Sequence, residues 1–119
     1  MIENITAENA YQAAQKGAIL VDVRESIEVE DVWMDMQQVM KIPLSVFAKE
    51  YIRIPKDKEI ILCCAIGLSS EIAAKILDEN GYKKVKIIEN GLIAWQKAKL
   101  PTKAKYMCHC GNENKEQNK

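Results

Sequence analysis

The sequence predicts an α/β domain, an open and mainly parallel sheet with helices on both faces. Three observations lead there. Ile19–Val23, Glu59–Cys63 and Val85–Ile88 are short, largely apolar runs, as expected of strands covered on both sides. Stretches with helical periodicity alternate with them, and the links are short. The 119-residue chain suits one domain, and 48% apolar with 29% charged residues is ordinary for a globular protein.

Taken in order, Thr6 suits the N-cap of a helix over residues 7–16, with Gly17 as its stop. The strand Ile19–Val23 follows. Residues 25–40 mix acidic side chains with Val32, Trp33, Met34, Met36 and Val39 in weak periodicity. A short helix, an irregular loop and a short strand near Val39–Ile42 are expected there, with Trp33 and the nearby methionines forming an exposed apolar patch. Pro43 opens a short helix, Leu44–Ala48. Pro55-Lys56-Asp57-Lys58 makes a turn before the second strand. Ser69–Glu79 reads as an amphipathic helix with Ile72, Ala73, Ile76 and Leu77 on one face and Glu71, Lys75 and Asp78 away from it. Asn80-Gly81 ends it. After the third strand, Asn90-Gly91 turns into a last helix, Leu92–Lys99, stopped by Pro101.

Past Lys103 the composition shifts. Cys108-His109-Cys110 leads into Asn112–Lys119, a polar run without apolar residues. The expected organisation is a domain over residues 1–104 and a flexible polar tail over 105–119.

Lysine plus arginine balances aspartate plus glutamate, 17 against 17, and no dense basic run is present. This gives no electrostatic case for nucleic acid or an anionic membrane as a partner. The start of the chain lacks the basic and apolar regions of a secretory signal, and no apolar stretch is long enough to span a bilayer, so a cytoplasmic protein is expected. The four cysteines fall in two tight pairs, Cys63-Cys64 and Cys108/Cys110. That placement points to thiols in redox, sulfur or metal chemistry rather than to a disulfide framework.

The candidate for chemistry is Cys64. It follows a buried strand and opens a Gly67-containing loop that runs into a helix. In open parallel sheets, ligand sites lie beyond the C-terminal strand ends. The loop amides and the positive helix end favour an anion there, and the thiolate is the reactive form of cysteine. Strand alternation turns Cys63 the other way, into the core. Ser69 and Ser70 suit either helix capping or donation to a bound sulfur anion. Asp22 and Arg24, at the end of the first predicted strand, suit an ion pair that supports the loop, and Trp95 suits a core anchor of the last helix.

These residues resemble the rhodanese-like sulfurtransferases in their single-domain form. Val21-Asp22-Val23-Arg24-Glu25 is similar to the family's first-strand signature, and Ile42-Pro43-Leu44-Ser45 to the entry into its second helix. Cys64-Ala65-Ile66-Gly67-Leu68-Ser69-Ser70 resembles its six-residue active loop with the first helix residue after it. Glu89–Trp95, followed by Leu100-Pro101, is similar to its closing segment. The resemblance spans about residues 5–102. It implies the rhodanese-like fold and a Cys64 persulfide, charged by thiosulfate or a persulfide donor. A thiol, cyanide or a sulfur-accepting protein would discharge it, with no cofactor and no metal. Ala65, Ile66, Gly67, Leu68, Ser69 and Ser70 would form the persulfide cradle.

The chain departs from the family pattern in two places. Ala65 and Ser69 stand where many members carry arginine, and Val32–Met40 replaces a Gly-His-Ile and Pro-Gly-Ala stretch, with Trp33 and Met34 expected at the entrance. A non-catalytic rhodanese-like binding or redox-sensing module is therefore the alternative reading. Phosphatase chemistry, known on the same fold, lacks its loop-closing arginine here. Three readings of Cys108-His109-Cys110 stand side by side: a sulfur relay through Cys108 and Cys110, a metal contact short of the four ligands of a closed zinc site, and incidental thiols.

Overall fold

The computed structural model describes residues 2–25, 32–64 and 68–104. Five strands form one parallel sheet in the order β1-β6-β5-β2-β4. They are β1 (Ile2–Ile5), β2 (Ile19–Asp22), β4 (Val39–Lys41), β5 (Ile60–Cys63) and β6 (Val85–Ile88). A separate antiparallel pair joins β3 (Val32–Met34) to β7 (Thr102–Ala104). The helices are α1 (Ala7–Gln15), α2 (Leu44–Glu50), α3 (Leu68–Glu79) and α4 (Gly91–Lys97), with a 3₁₀ turn at Tyr51–Arg53. No helix among the described residues is long and apolar enough to cross a membrane.

The largely apolar strands predict a two-sided sheet, and the side chains sort accordingly. Leu20, Ile61, Cys63 and Ile88 pack with Ala10, Ala14, Leu92 and Trp95 of α1 and α4. Val21, Ile60, Leu62, Val85 and Ile87 pack with Phe47, Ala73, Ala74 and Leu77 of α2 and α3. Successive strand residues thus feed opposite cores, as the pleat requires. Helix α1 starts where expected: Thr6 Oγ1 accepts the Asn9 amide at 3.1 Å, and Gly17, with φ +113°, ends the helical run in a conformation that suits glycine.

Three expectations need correction. Residues 32–34 form a strand, and Met34 is buried against α1 and α4 instead of joining an exposed patch, because pairing with β7 turns it inward. Trp33 is half-buried, with Lys41 Nζ 4.9 Å from its ring centroid. On α3, the buried face is Ser70, Ala73, Ala74 and Leu77, whereas Ile72 is 55% exposed. The helix is rolled toward its small residues, which allow close approach to the sheet. The edge strand β1 has no clear signal in sequence, since Glu3 and Asn4 interrupt it and its side chains are mostly exposed; pairing with β6 defines it. The expected tail, residues 105–119, lies outside the described residues.

The face of α3 can be tested by substitution. Ile72→Gln should change the unfolding free energy by no more than about 0.5 kcal/mol. Leu77→Ala, on the buried face, should cost about 2–5 kcal/mol in urea denaturation. Equal losses at the two positions would contradict the observed orientation.

Candidate functional site

The C-terminal ends of β2 and β5 lie side by side, with Asp22 opposite Cys63 in the register. The backbone is laced together just beyond the strands. The Val23 amide donates to the Cys63 carbonyl at 2.9 Å, the Ile42 amide to Asp22 O at 3.0 Å, and the Leu44 amide to Val23 O at 3.0 Å. Cys64, the first residue past β5, has its carbonyl held by the Leu92 amide at 2.7 Å. Leu92 is the second residue of α4. The preceding Asn90-Gly91 pair adopts left-handed φ values of 59° and 52°, turning the chain so that α4 begins against the cysteine.

Sequence reading did not anticipate the Leu92 tether, although the Asn90-Gly91 turn marks where it forms. Nor did it anticipate the bracing of α2. Glu25 reaches across to accept from the Ser45 amide at 3.0 Å and from its hydroxyl at 2.8 Å, at a helix start that Pro43 does not cap. A carboxylate there also suits the positive end of the helix.

Asp22 and Arg24 form the expected ion pair, both buried. Arg24 Nε lies 3.0 and 3.2 Å from the two carboxylate oxygens, and Nη2 is 2.8 Å from Oδ2. Nη2 also donates to the Val32 carbonyl at 2.8 Å, tying β3 to the end of β2. Such a pair persists in the interior because each charge finds hydrogen-bonding partners.

The adjacent cysteines are divided between the two cores. Cys63 packs with Met34 and Trp95, and Cys64, 3% exposed, packs with Val23, Ala73 and Ala74. No disulfide joins them. Burial, followed by the nearby Asp22 charge, pushes the Cys63 thiol well up from its ordinary value, with Arg24 opposing. Cys63 is therefore a core thiol. Trp95 is fully buried, and its Nε1 donates to Pro101 O at 2.8 Å.

Of the expected cradle, Ala65, Ile66 and Gly67 lie outside the described residues, and Leu68 is the first residue of α3. Ser69 and Ser70 follow in its first turn. Ser70 is fully buried, and its Oγ has no hydrogen-bond partner among the described residues. A buried hydroxyl left unpaired costs about 1–3 kcal/mol. Cys108, His109 and Cys110 lie outside the described residues. No cluster of three or more potential metal ligands occurs among the described ones.

Residues 6–98 match the Rhodanese-like domain family. A sulfurtransferase from Allochromatium vinosum is 28% identical over 103 residues, covering 85% of this chain and 94% of that protein. The thiosulfate sulfurtransferase GlpE of Haemophilus influenzae is 31% identical, covering 87% of this chain and 97% of that one. Among solved structures, a rhodanese-related protein from Thermoplasma volcanium superposes with a TM-score of 0.75 at 25% identity, covering 85% and 97% of the two chains.

Two outcomes follow from the buried charges and thiol. Arg24→Met strands the Asp22 carboxylate and should destabilise the fold by about 3–5 kcal/mol, with Asp22→Leu in the same chain restoring a good part. A loss below about 1 kcal/mol would mean that water reaches the pair. For Cys63, the folded chain keeps a proton that the unfolded chain releases above about pH 8.5. Its contribution is therefore complete below that pH and declines as pH rises. Denaturation between pH 7 and 10 should show a shallower decline for Cys63→Ala than for the native protein; identical slopes would rule this out.

Proposed function

This chain belongs to the Rhodanese-like domain family, and from that membership we propose that it transfers sulfane sulfur through a persulfide on Cys64. Relatives of similar length are named sulfurtransferases, which supports a transferase of the rhodanese type. The observation that carries the finer reading is the position of Cys64. It stands just past the C-terminal end of a central parallel strand, its carbonyl is fixed by α4, and a twelve-residue helix begins four positions later.

In the first half-reaction the Cys64 thiolate attacks the outer sulfur of thiosulfate. A bond forms between Sγ and the sulfane sulfur, the sulfur–sulfur bond of the donor breaks, and sulfite departs with the electron pair. A persulfide donor reacts in the same way and releases a thiolate. In the second half-reaction a thiolate or cyanide attacks the sulfane sulfur, and Cys64 leaves as thiolate. Fixing the Cys64 backbone keeps its sulfur in place through both displacements, so positioning is not repaid at each turnover.

The persulfide is an anion in a largely apolar setting and requires donors. The amides of Ala65 to Ser70 form its cradle in this reading. The Ser70 hydroxyl supplies a further donor, which would account for a buried polar group without a partner among the described residues. Asp22 and Arg24 support the site by holding the end of β2 beside the cysteine strand.

Reduced protein incubated with thiosulfate, then with glutathione persulfide, and peptide-mapped by mass spectrometry should carry one added sulfur on Cys64 that cyanide removes. Cys64→Ser should carry none there. Ser70→Ala should retain or gain stability, by about 1 kcal/mol, while shortening the lifetime of the Cys64 persulfide several-fold. Absence of sulfur on Cys64 from both donors, in folded protein, would replace this reading with that of a binding module.

A further inference from the structure

The strand register places three residues on one line across the C-terminal edge of the sheet. Lys41 of β4 stands opposite Asp22 of β2, and Asp22 stands opposite Cys63 of β5. Neighbouring strands lie about 5 Å apart, so the Lys41 backbone is about 10 Å from the end of the cysteine strand. Cys64 is the next residue after that end. Lys41 closes its own strand at the same level, and its side chain is exposed.

The cations at this edge are held in different ways. Arg24 is buried against the Asp22 carboxylate, so the two together present no net charge. Lys41 is held by a ring instead: its Nζ lies 4.9 Å from the centroid of Trp33 on β3. A ring face attracts an ammonium through its quadrupole and so places it, but it brings no net charge to cancel the cation. Among the described residues no carboxylate stands within ion-pair distance of Lys41. Lys103, opposite Trp33 in the smaller sheet, has Asp35 at 3.8 Å. The sequence from Ala65 to Ser70 contains no basic residue.

We infer that Lys41, set in place by Trp33, steers anionic sulfur donors to Cys64 and favours a doubly charged donor, thiosulfate, over singly charged ones. This rests on the Cys64 persulfide proposed above. A unit charge about 10 Å away in water changes the local concentration of a monoanion roughly twofold and that of a dianion roughly fourfold. Attraction of this kind acts on encounter, before any bond changes, and it weakens with salt. The cation that selects the donor thus comes from a strand end two strands away from the cysteine.

The test compares thiosulfate with methanethiosulfonate, which offer the same kind of outer sulfur on a dianion and on a monoanion. In both, a bond forms from Cys64 Sγ to the outer sulfur and the sulfur–sulfur bond of the donor breaks. Sulfite or methanesulfinate leaves with the electron pair. Second-order rate constants for loading Cys64 of the full chain are followed by mass spectrometry. At about 10 mM ionic strength, where charges act over about 30 Å, Lys41→Glu should slow loading by thiosulfate about fivefold to tenfold and by methanethiosulfonate about twofold to threefold. Lys41→Met should give about the square root of each factor, and Lys41→Arg should keep the native rates. In about 1 M salt, where the range is about 3 Å, the differences should vanish. A lysine that only supports the fold would affect both donors alike and keep its effect in salt. Either of those results, or native rates in Lys41→Glu, overturns the steering role and leaves the transferase reading intact. No sulfur on Cys64 of the native chain from either donor overturns the transferase reading and this inference with it.

Discussion

The buried pair of Asp22 and Arg24 is the constraint on which the end of this domain nearest Cys64 depends. Removing both charges from water carries a desolvation cost of several kcal/mol per ion, and only close, multiple contacts compensate for it. Here one guanidinium meets both carboxylate oxygens, and the Nη2 that donates to Oδ2 also donates to the Val32 carbonyl. That arrangement is possible only if β2 ends where it does and β3 passes at one distance and direction. The pair thereby joins β3, which pairs with β7 and packs Met34 against α1 and α4, to the end of β2. A local charge interaction is thus one of the links between the five-stranded sheet and the smaller one, beside the packing of Met34 and the Trp95 hydrogen bond to Pro101.

The cysteine strand shows how a one-residue difference decides a thiol's surroundings. Cys63 and Cys64 are neighbours in sequence, but the pleat sends their side chains to different cores. Cys63 lies within the strand, in an apolar layer that disfavours its thiolate. Cys64 lies past the strand, where the backbone is released from the sheet and recaptured by the α4 amide. The two thiols therefore serve as packing and as candidate nucleophile without any difference in residue type.

Much of this was legible in the residues. The apolar runs Ile19–Val23, Glu59–Cys63 and Val85–Ile88 gave the central strands, because a strand covered on both sides needs few polar residues. Thr6, Gly17 and Pro43 marked helix boundaries through local backbone chemistry that does not depend on the rest of the fold. The pairing of Asp22 with Arg24 followed from complementary charges two residues apart at a strand end. What escaped was non-local. Strand β1 exists because β6 accepts it, and β3 because β7 does; neither has a hydrophobic pattern of its own to announce it. The roll of α3 was misread because Ile72 weighs heavily in any hydrophobic pattern, whereas the sheet selects the smaller Ala73 and Ala74. The Leu92 tether joins residues 28 positions apart through backbone atoms, which carry no side-chain signature.

The position of β1 has a consequence for how the chain is made. The first strand in sequence occupies one edge of the sheet, and its partner is β6, with Ile2 against Val85 and Ile5 against Ile88. On a ribosome, that partner is synthesised more than eighty residues later. Pairings of such long sequence separation form late, since a large loop must close before any contact rewards it. The nascent chain can assemble β2 with β4 and then β5 while its first residues wait unpaired. The sheet is then completed from its middle outward, and β1, though made before every other strand of this sheet, is among the last to be incorporated.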